Sequence, residues 1–92
     1  MEFEWDQSKA IANLKKHSIS FEEAKTVFDN PLAVIFDDEA HSTDERREII
    51  IGHSQQNRFL LIAFTERSGR IRIISARLAT RKEREDYEQN AL

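Results

Sequence analysis

The chain has 92 residues, a net charge of −3, 39% hydrophobic residues and no Cys. This length supports one domain, residues 1–92, with a single modest core. Disulfides and thiolate chemistry are excluded, and no run of about 18 apolar residues predicts a membrane span. The N-terminus is acidic where a secretory signal would be basic and then apolar. We therefore expect a cytoplasmic protein.

Charge is distributed unevenly along the chain. Residues 1–45 hold eleven Asp or Glu and four Lys or Arg, a balance of −7, whereas residues 46–92 hold six and ten, a balance of +4. This asymmetry favours a basic face built from the C-terminal half, although charges on sheet edges are often merely solvating.

The N-terminal third predicts a short strand and two helices. FEW (3–5) is the predicted strand, and Asp6 is the predicted N-cap of a helix that ends near Ser18. The helix places three apolar residues on one face: Ala10, Ile11 and Leu14. Ser20 and Glu23 then have the spacing of a capping box, in which each side chain binds the other's backbone N–H. Pro31 ends the second helix.

Four further strands are predicted: AVIF (33–36), REIII (47–51), RFLLIAF (58–64) and RIRIISAR (70–77). Residues 54–57 and 67–69 read as tight hairpins, which favours an antiparallel meander with 58–64 as the central strand. The link 37–45 is longer and acidic, and we expect it to be mobile.

A last helix begins with a second capping box, Thr80 and Glu83. It has little but Tyr87 and Ala91 to bury, so we expect it to be weakly anchored.

Arginine concentrates where the last strand meets this helix. The period-2 rule places Arg70, Arg72, Ile74 and Ala76 on one strand face and Ile71, Ile73, Ser75 and Arg77 on the other. Arg77 therefore extends the predicted core face, beside the helix N-terminus, where a guanidinium would make an anion site. The alternative is a salt bridge from Arg77 to Glu83 or Glu45.

Other charged residues have two interpretations each. Lys16 and His17 close the first helix, where cations complement the helix C-terminus, but they could also reach a phosphate. Glu45 and Arg46 begin a strand, where charges are usually solvated. His17, His41 and His53 have no metal-ligand spacing, so no metal site is predicted.

Together these stretches resemble one family. "FEWDQSKAIANLKKHSISFEEAKTVF", "DERREIIIGHS" and "RIRIISARLATRKEREDYE" are similar to BrnT, the toxin of a type II toxin–antitoxin pair, from Phe3 to Tyr87. The motifs W-D, N-x-x-K-H, F-x-E-A, E-R-x-x-x-I-G, I-S-A-R and E-R-x-x-Y occur in the family's order. Ser18 departs from the pattern, because the family commonly has Gly after Lys-His, which suits a left-handed helix end.

The resemblance implies an α+β, RelE/ParE-like fold, with two N-terminal helices on a mostly antiparallel sheet and a C-terminal helix. It implies a metal-independent endoribonuclease that needs no cofactor, cleaves mRNA by 2′-hydroxyl attack, with or without the ribosome, and arrests translation. A BrnA-like antitoxin would neutralise it in a heterotetramer containing a toxin dimer and would carry the DNA-binding part.

The resemblance also suggests which residues act. Arg77 and Arg46 would clamp the phosphate, since guanidinium offers paired donors. Lys16 and His17 would add charge or transfer a proton, Glu45 could be a base, and Tyr87 would stack on a base or contact the phosphate. The basic strand–helix segment adds three candidate RNA-binding residues: Arg70, Arg72 and Arg81.

Two other functions stay open on the sequence. A degenerate toxin would be an antitoxin-binding module with little nuclease activity, which suits a pI near 5.6. A DNA-binding regulator is disfavoured, because no helix carries the Arg, Asn or Gln run that major-groove readout uses.

Overall fold

The computed structural model describes residues 1–39 and 45–90, so the centre of the acidic 37–45 link, and Ala91, lie outside the described residues. The elements are β1 (Glu2–Trp5), α1 (Gln7–His17), α2 (Phe21–Val27), β2 (Val34–Asp37), β3 (Arg47–His53), β4 (Phe59–Arg67), β5 (Arg70–Leu78) and α3 (Arg81–Asn90). The predicted α+β class and element order are confirmed. No helix in the described ranges is long and apolar enough to cross a membrane.

The five strands form one mixed sheet in the order β1-β5-β4-β3-β2. Strands β2 to β5 are a continuous antiparallel meander, with β4 in the centre as predicted, and β1 joins β5 in parallel. The β4–β5 hairpin turns through Ser68 and Gly69, both with positive φ (53° and 78°), which is the geometry of a type I′ turn.

One face of the sheet carries the main core beneath α1 and α2. Its buried residues are Ile19, Phe21, Ala24, Val27, Ile50, Leu60, Ile62, Phe64, Ile71, Ile73 and Ala76. The opposite face, which we call the open face, carries Val34, Phe36, Ile49, Ile51, Leu61, Ala63 and Thr65. Helix α3 packs at one end of the open face, where Tyr87 joins Ile51 and Phe59 in a smaller cluster.

The predicted apolar face of α1 is confirmed for Ala10, which packs against the core, and is wrong for the other two residues. Ile11 and Leu14 are 58% and 52% exposed, whereas Asn13 is buried. The Asn13 side-chain amide donates to the carbonyls of Ile19 (3.0 Å) and Ala76 (2.8 Å), and its oxygen accepts from the Ala76 N–H (3.0 Å). The helix packs so closely on β5 that a polar side chain satisfies the strand backbone, and hydrophobic periodicity does not detect this.

The predicted capping box of α2 is confirmed in one direction only. Ser20 Oγ accepts from the Glu23 N–H at 3.0 Å, but the Glu23 carboxylate turns inward, where it accepts from Arg58 Nε (2.9 Å) and Ser54 Oγ (2.7 Å). Arg58 also donates to the carbonyl of Ser18 at 3.0 Å. The hydrogen bond from Arg58 lowers the pKa of Glu23 despite its burial. This network fastens the end of α1 to the start of β4.

Helix α3 begins with the predicted capping box, here formed in both directions. Thr80 Oγ1 accepts from the Glu83 N–H (3.2 Å), and Glu83 Oε1 accepts from the Thr80 N–H (2.8 Å). Tyr87 anchors the helix: its ring packs edge-on against Phe59 and its hydroxyl donates to the carbonyl of Leu32 at 2.6 Å.

Candidate active site

A β-bulge decides the direction of Arg77. Ser75 pairs with Ala63, but the next β4 residue, Phe64, pairs with Ile73, so Ile74 has no partner in β4. One extra residue reverses the alternation of side chains beyond it. Arg77 therefore lies on the open face, and its predicted position on the core face is wrong.

The same bulge places the arginines of β5 on one side of the sheet. Arg72 pairs with Thr65 and Arg77 with Leu61, and both partners belong to the open face. The strand thus carries a line of cationic side chains from the hairpin to the corner where α3 begins: Arg70, Arg72 and Arg77.

Arg77 is held by the first turn of α3. Its Nη1 and Nη2 donate to the two carboxylate oxygens of Glu83 at 2.8 and 2.7 Å, and Nη1 also donates to the carbonyl of Leu78 at 3.1 Å. The hydrogen bond from Arg77, supported by the backbone of Thr80, lowers the pKa of Glu83 to about 2 against the effect of burial. The salt-bridge alternative with Glu83 is thus realised, yet 38% of the Arg77 side chain is exposed.

The pairing leaves one edge of the Arg77 guanidinium open. A guanidinium has five N–H donors, and three of those on Arg77 are used on Glu83 and Leu78. Its Nε–H and the second Nη2 hydrogen make no hydrogen bond with any described residue. These two donors lie along one edge, the fork geometry that binds two oxygens of a carboxylate or phosphate.

In two other arginines the Nε–Nη2 edge already binds a carboxylate. Nε and Nη2 of Arg46 both bind Asp37, and the same two atoms of Arg67 bind Glu45. The remaining β5 arginines are paired with β1, Arg70 with Glu2 (3.0 Å) and Arg72 with Glu4 (2.8 Å).

The structure does not gather all predicted site residues into one place. Glu45 lies near Arg67 and Arg72, whose charges lower its pKa, with the hydrogen bond from Arg67 the main cause. Arg72 and Arg77 pair with Thr65 and Leu61, which are four residues apart in β4, so the two arginines are separated by about 13 Å at about 3.3 Å per residue. Glu45 and Arg46 therefore belong to the hairpin end of the open face, and Arg77 belongs to the corner.

Lys16 and His17 lie near the Arg77 corner, at the edge of β5. They line a cleft of about 220 Å³ between α1 and β5, together with Lys9, Ala12, Asn13, Ile74 and Ser75. Ser75 is only two residues from Arg77. We call this space the α1–β5 cleft.

The two α3 candidates have different surroundings. Tyr87 is 8% exposed and lines a groove of about 300 Å³ on the open face with Phe36, Ile49, Ile51, Leu61, Glu83 and Asp86. The Arg81 side chain is 94% exposed and contacts Glu85 at 3.3 Å. No three potential metal ligands come together within residues 1–39 and 45–90.

Asn13 and Lys9 were not among the predicted site residues, although Asn13 begins the N-x-x-K-H motif. Both lie on the α1 face that contacts β5, with Lys9, Asn13 and Lys16 at positions i, i+4 and i+7. That polar stripe is the signal that could have found them.

These features define a small α+β protein whose sheet corner is suited to binding a phosphate. The chain belongs to the family described as "Ribonuclease toxin, BrnT, of type II toxin–antitoxin system", whose model matches residues 5–83. This confirms the resemblance seen in the sequence, and membership implies an RNA target and an antitoxin partner.

A solved structure supports the fold. The chain is similar to the crystal structure of the Brucella abortus ribonuclease toxin BrnT, with 21% identity, a TM-score of 0.68, and coverage of 88% of this chain and 99% of that chain. The comparison with curated proteins found no match.

Proposed function

We propose that this chain is a metal-independent endoribonuclease that cleaves mRNA in the cytoplasm, arrests translation, and is neutralised by a BrnA-like antitoxin. We also propose a RelE/ParE-type architecture, which is supported by the two N-terminal helices on one face of a mostly antiparallel sheet. The observation that carries the proposal is the open Nε–Nη2 edge of Arg77, a side chain that is 38% exposed at the sheet corner of a ribonuclease-toxin family member.

Arg77 is the proposed phosphate clamp. Metal-free cleavage proceeds through a pentavalent phosphorane that carries extra negative charge, and donors fixed in advance stabilise such charge best. Glu83 holds the end of the guanidinium, so the Nε–Nη2 edge already points in a defined direction. The clamp therefore needs no reorganisation when the phosphate arrives.

The reaction moves two protons. The 2′-hydroxyl loses its proton and its oxygen bonds to phosphorus, while the bond from phosphorus to the 5′-oxygen breaks and that oxygen gains a proton. The products are a 2′,3′-cyclic phosphate and a 5′-hydroxyl. We assign proton transfer to His17, because an imidazole ring has one nitrogen that can accept a proton and one N–H that can donate it, and we assign Lys16 to binding the RNA backbone.

The other candidates receive supporting roles in this proposal. Glu45 and Arg46 lie at the hairpin end, so we place them, with Arg70 and Arg72, on the surface that receives the flanking RNA. Arg81 is exposed enough to join that surface. Tyr87 is assigned to anchoring α3, because its hydroxyl is engaged by Leu32.

The test is digestion of a mixed RNA by purified protein in EDTA, with end-group analysis. We expect 2′,3′-cyclic phosphate ends, and no cut in a strand whose reacting nucleotide is 2′-deoxy. If translating ribosomes are required, the same ends will appear only with them present. Loss of cleavage in EDTA that Mg²⁺ restores, or cutting of the 2′-deoxy strand, would contradict the mechanism.

An antitoxin-binding module without nuclease activity is the second candidate. It is favoured by the carboxylate partners of Arg46, Arg67, Arg70 and Arg72, which reduce the charge offered to RNA, and by the exposed apolar residues of β2. Expression without antitoxin discriminates the two: growth arrest supports the nuclease, and normal growth supports the module.

A further inference from the structure

The α1–β5 cleft exists because β1 is shorter than β5. Strand β1 ends at Trp5, which pairs with Ile73, whereas β5 continues to Leu78. Beyond Ile73 the neighbour of β5 is α1, and the amide of Asn13 makes the two hydrogen bonds to Ala76 that a strand would otherwise make. A rigid side-chain bridge thus holds the helix beside an open strand edge.

The cleft carries positive charge without a carboxylate to offset it. Its lining includes two lysines, Lys9 and Lys16, and one histidine, His17, and no Asp or Glu lines it. Among the described residues these three side chains have no ion-pair partner. Arg70, Arg72 and Arg77 on the neighbouring open face each have a carboxylate partner.

We propose that the α1–β5 cleft binds a backbone phosphate of single-stranded RNA, with Lys9 and Lys16 as its cationic ligands. The inference rests on the proposed function and deepens it, because it states where the substrate strand leaves the sheet. Ser75 lines the cleft and points toward the open face that carries Arg77. The RNA therefore crosses the edge of β5, with one phosphate in the cleft and a neighbouring one at Arg77.

Lysine chemistry sets the expected signature of this site. An ammonium is a flexible point charge that neutralises a phosphate without reading the base. Each phosphate neutralised on a single strand contributes about 0.7 to the slope of log affinity against log salt. A lysine that binds phosphate must therefore change this slope, whereas a lysine that only supports the fold does not.

The experiment measures affinity for a fully 2′-O-methylated RNA oligonucleotide, which lacks the nucleophile, by fluorescence anisotropy across a salt series. The variants are Lys9→Ala, Lys16→Ala and their double, and the matched control is Lys15→Ala, on the same helix but outside the cleft. We expect each cleft variant to weaken binding and to lower the slope by about 0.7, the double by about 1.4, and the control to match wild type. Circular dichroism checks that the fold is intact.

The inference is overturned if the double variant keeps the wild-type slope, or if the wild-type protein does not bind this RNA. Cleavage of the unmodified oligonucleotide is measured in parallel. If wild type cleaves the RNA but the double variant keeps the wild-type slope, the nuclease proposal stands and the cleft proposal fails. If the double variant has a lower slope but wild type does not cleave, with or without ribosomes, the cleft proposal stands and the nuclease proposal fails.

Discussion

The Glu83 carboxylate joins Arg77 to the first turn of α3. Its oxygens accept two hydrogen bonds from the guanidinium, at 2.8 and 2.7 Å, and a third at 2.8 Å from the Thr80 N–H. The group that caps the helix is therefore also the group that orients the proposed phosphate clamp. Changes at Glu83 should affect stability and catalysis together.

Glu83→Gln should lose stability in a pH-dependent way. The pKa of Glu83 lies near 2 in the folded chain, below its ordinary value of 4.5, so its stabilising effect is fully present above about pH 4.5 and is lost as pH falls toward 2. With the pair about one-third exposed, we expect a difference from wild type on the order of 1 kcal/mol at pH 7 and none near pH 2.

The measurement is urea denaturation of both proteins from pH 7 to pH 2. Glu85→Gln is the matched control, because Glu85 lies on the same helix in an exposed pair with Arg81. A stability difference between wild type and Glu83→Gln that stays constant down to pH 2 would show that the ionised pair is not its source.

Asn13→Ala should cost about 2–4 kcal/mol of unfolding free energy. The substitution leaves the Ala76 N–H and the carbonyls of Ala76 and Ile19 without their side-chain partner in a buried position. Chemical denaturation would measure the loss, with Leu14→Ala, at the adjacent and exposed position of α1, as the comparison. A cost at position 14 as large as that at position 13 would contradict the assignment of the α1 faces.

Ser18→Gly should stabilise the chain. Ser18 ends α1 in the left-handed region, with φ 58° and ψ 31°, where a side chain costs about 1–2 kcal/mol. Glycine removes that cost but gives the unfolded chain more freedom, so we expect a net gain of up to about 1 kcal/mol. A thermal shift to lower temperature would mean that the serine side chain contributes something the backbone geometry does not reveal.

Local signals predicted most of the fold. Turn residues at 54–57 and 67–69, and caps at Asp6, Ser20 and Thr80, mark element boundaries through interactions within a few residues, so they can be read from the chain. The buried face of α1 could not be read in this way. It is set by Asn13, whose partner Ala76 is 63 positions away.

The arrangement of the candidate site was harder to predict than the fold, because it too depends on contacts between residues distant in sequence. Arg77 lies near the end of β5 as predicted, but the bulge at Ile74, which no local pattern signals, places its side chain on the other face. The predicted cluster also assumed that Arg46 and Glu45 reach Arg77. Strand register separates them, and register depends on pairing across the whole sheet.

Single-turnover cleavage of RNA in EDTA by Arg77 variants tests the central claim most directly. Losing the Nε–Nη2 fork removes two charge-assisted hydrogen bonds to the phosphate, so Arg77→Ala should lower the rate at least about tenfold, and Arg77→Lys, which keeps the charge without the fork, should not restore it. The double variant Arg77→Ala/Glu83→Ala controls for an orphaned carboxylate, and Lys82→Ala controls for charge on α3. An Arg77→Ala protein that is folded and cleaves at the wild-type rate would contradict the account.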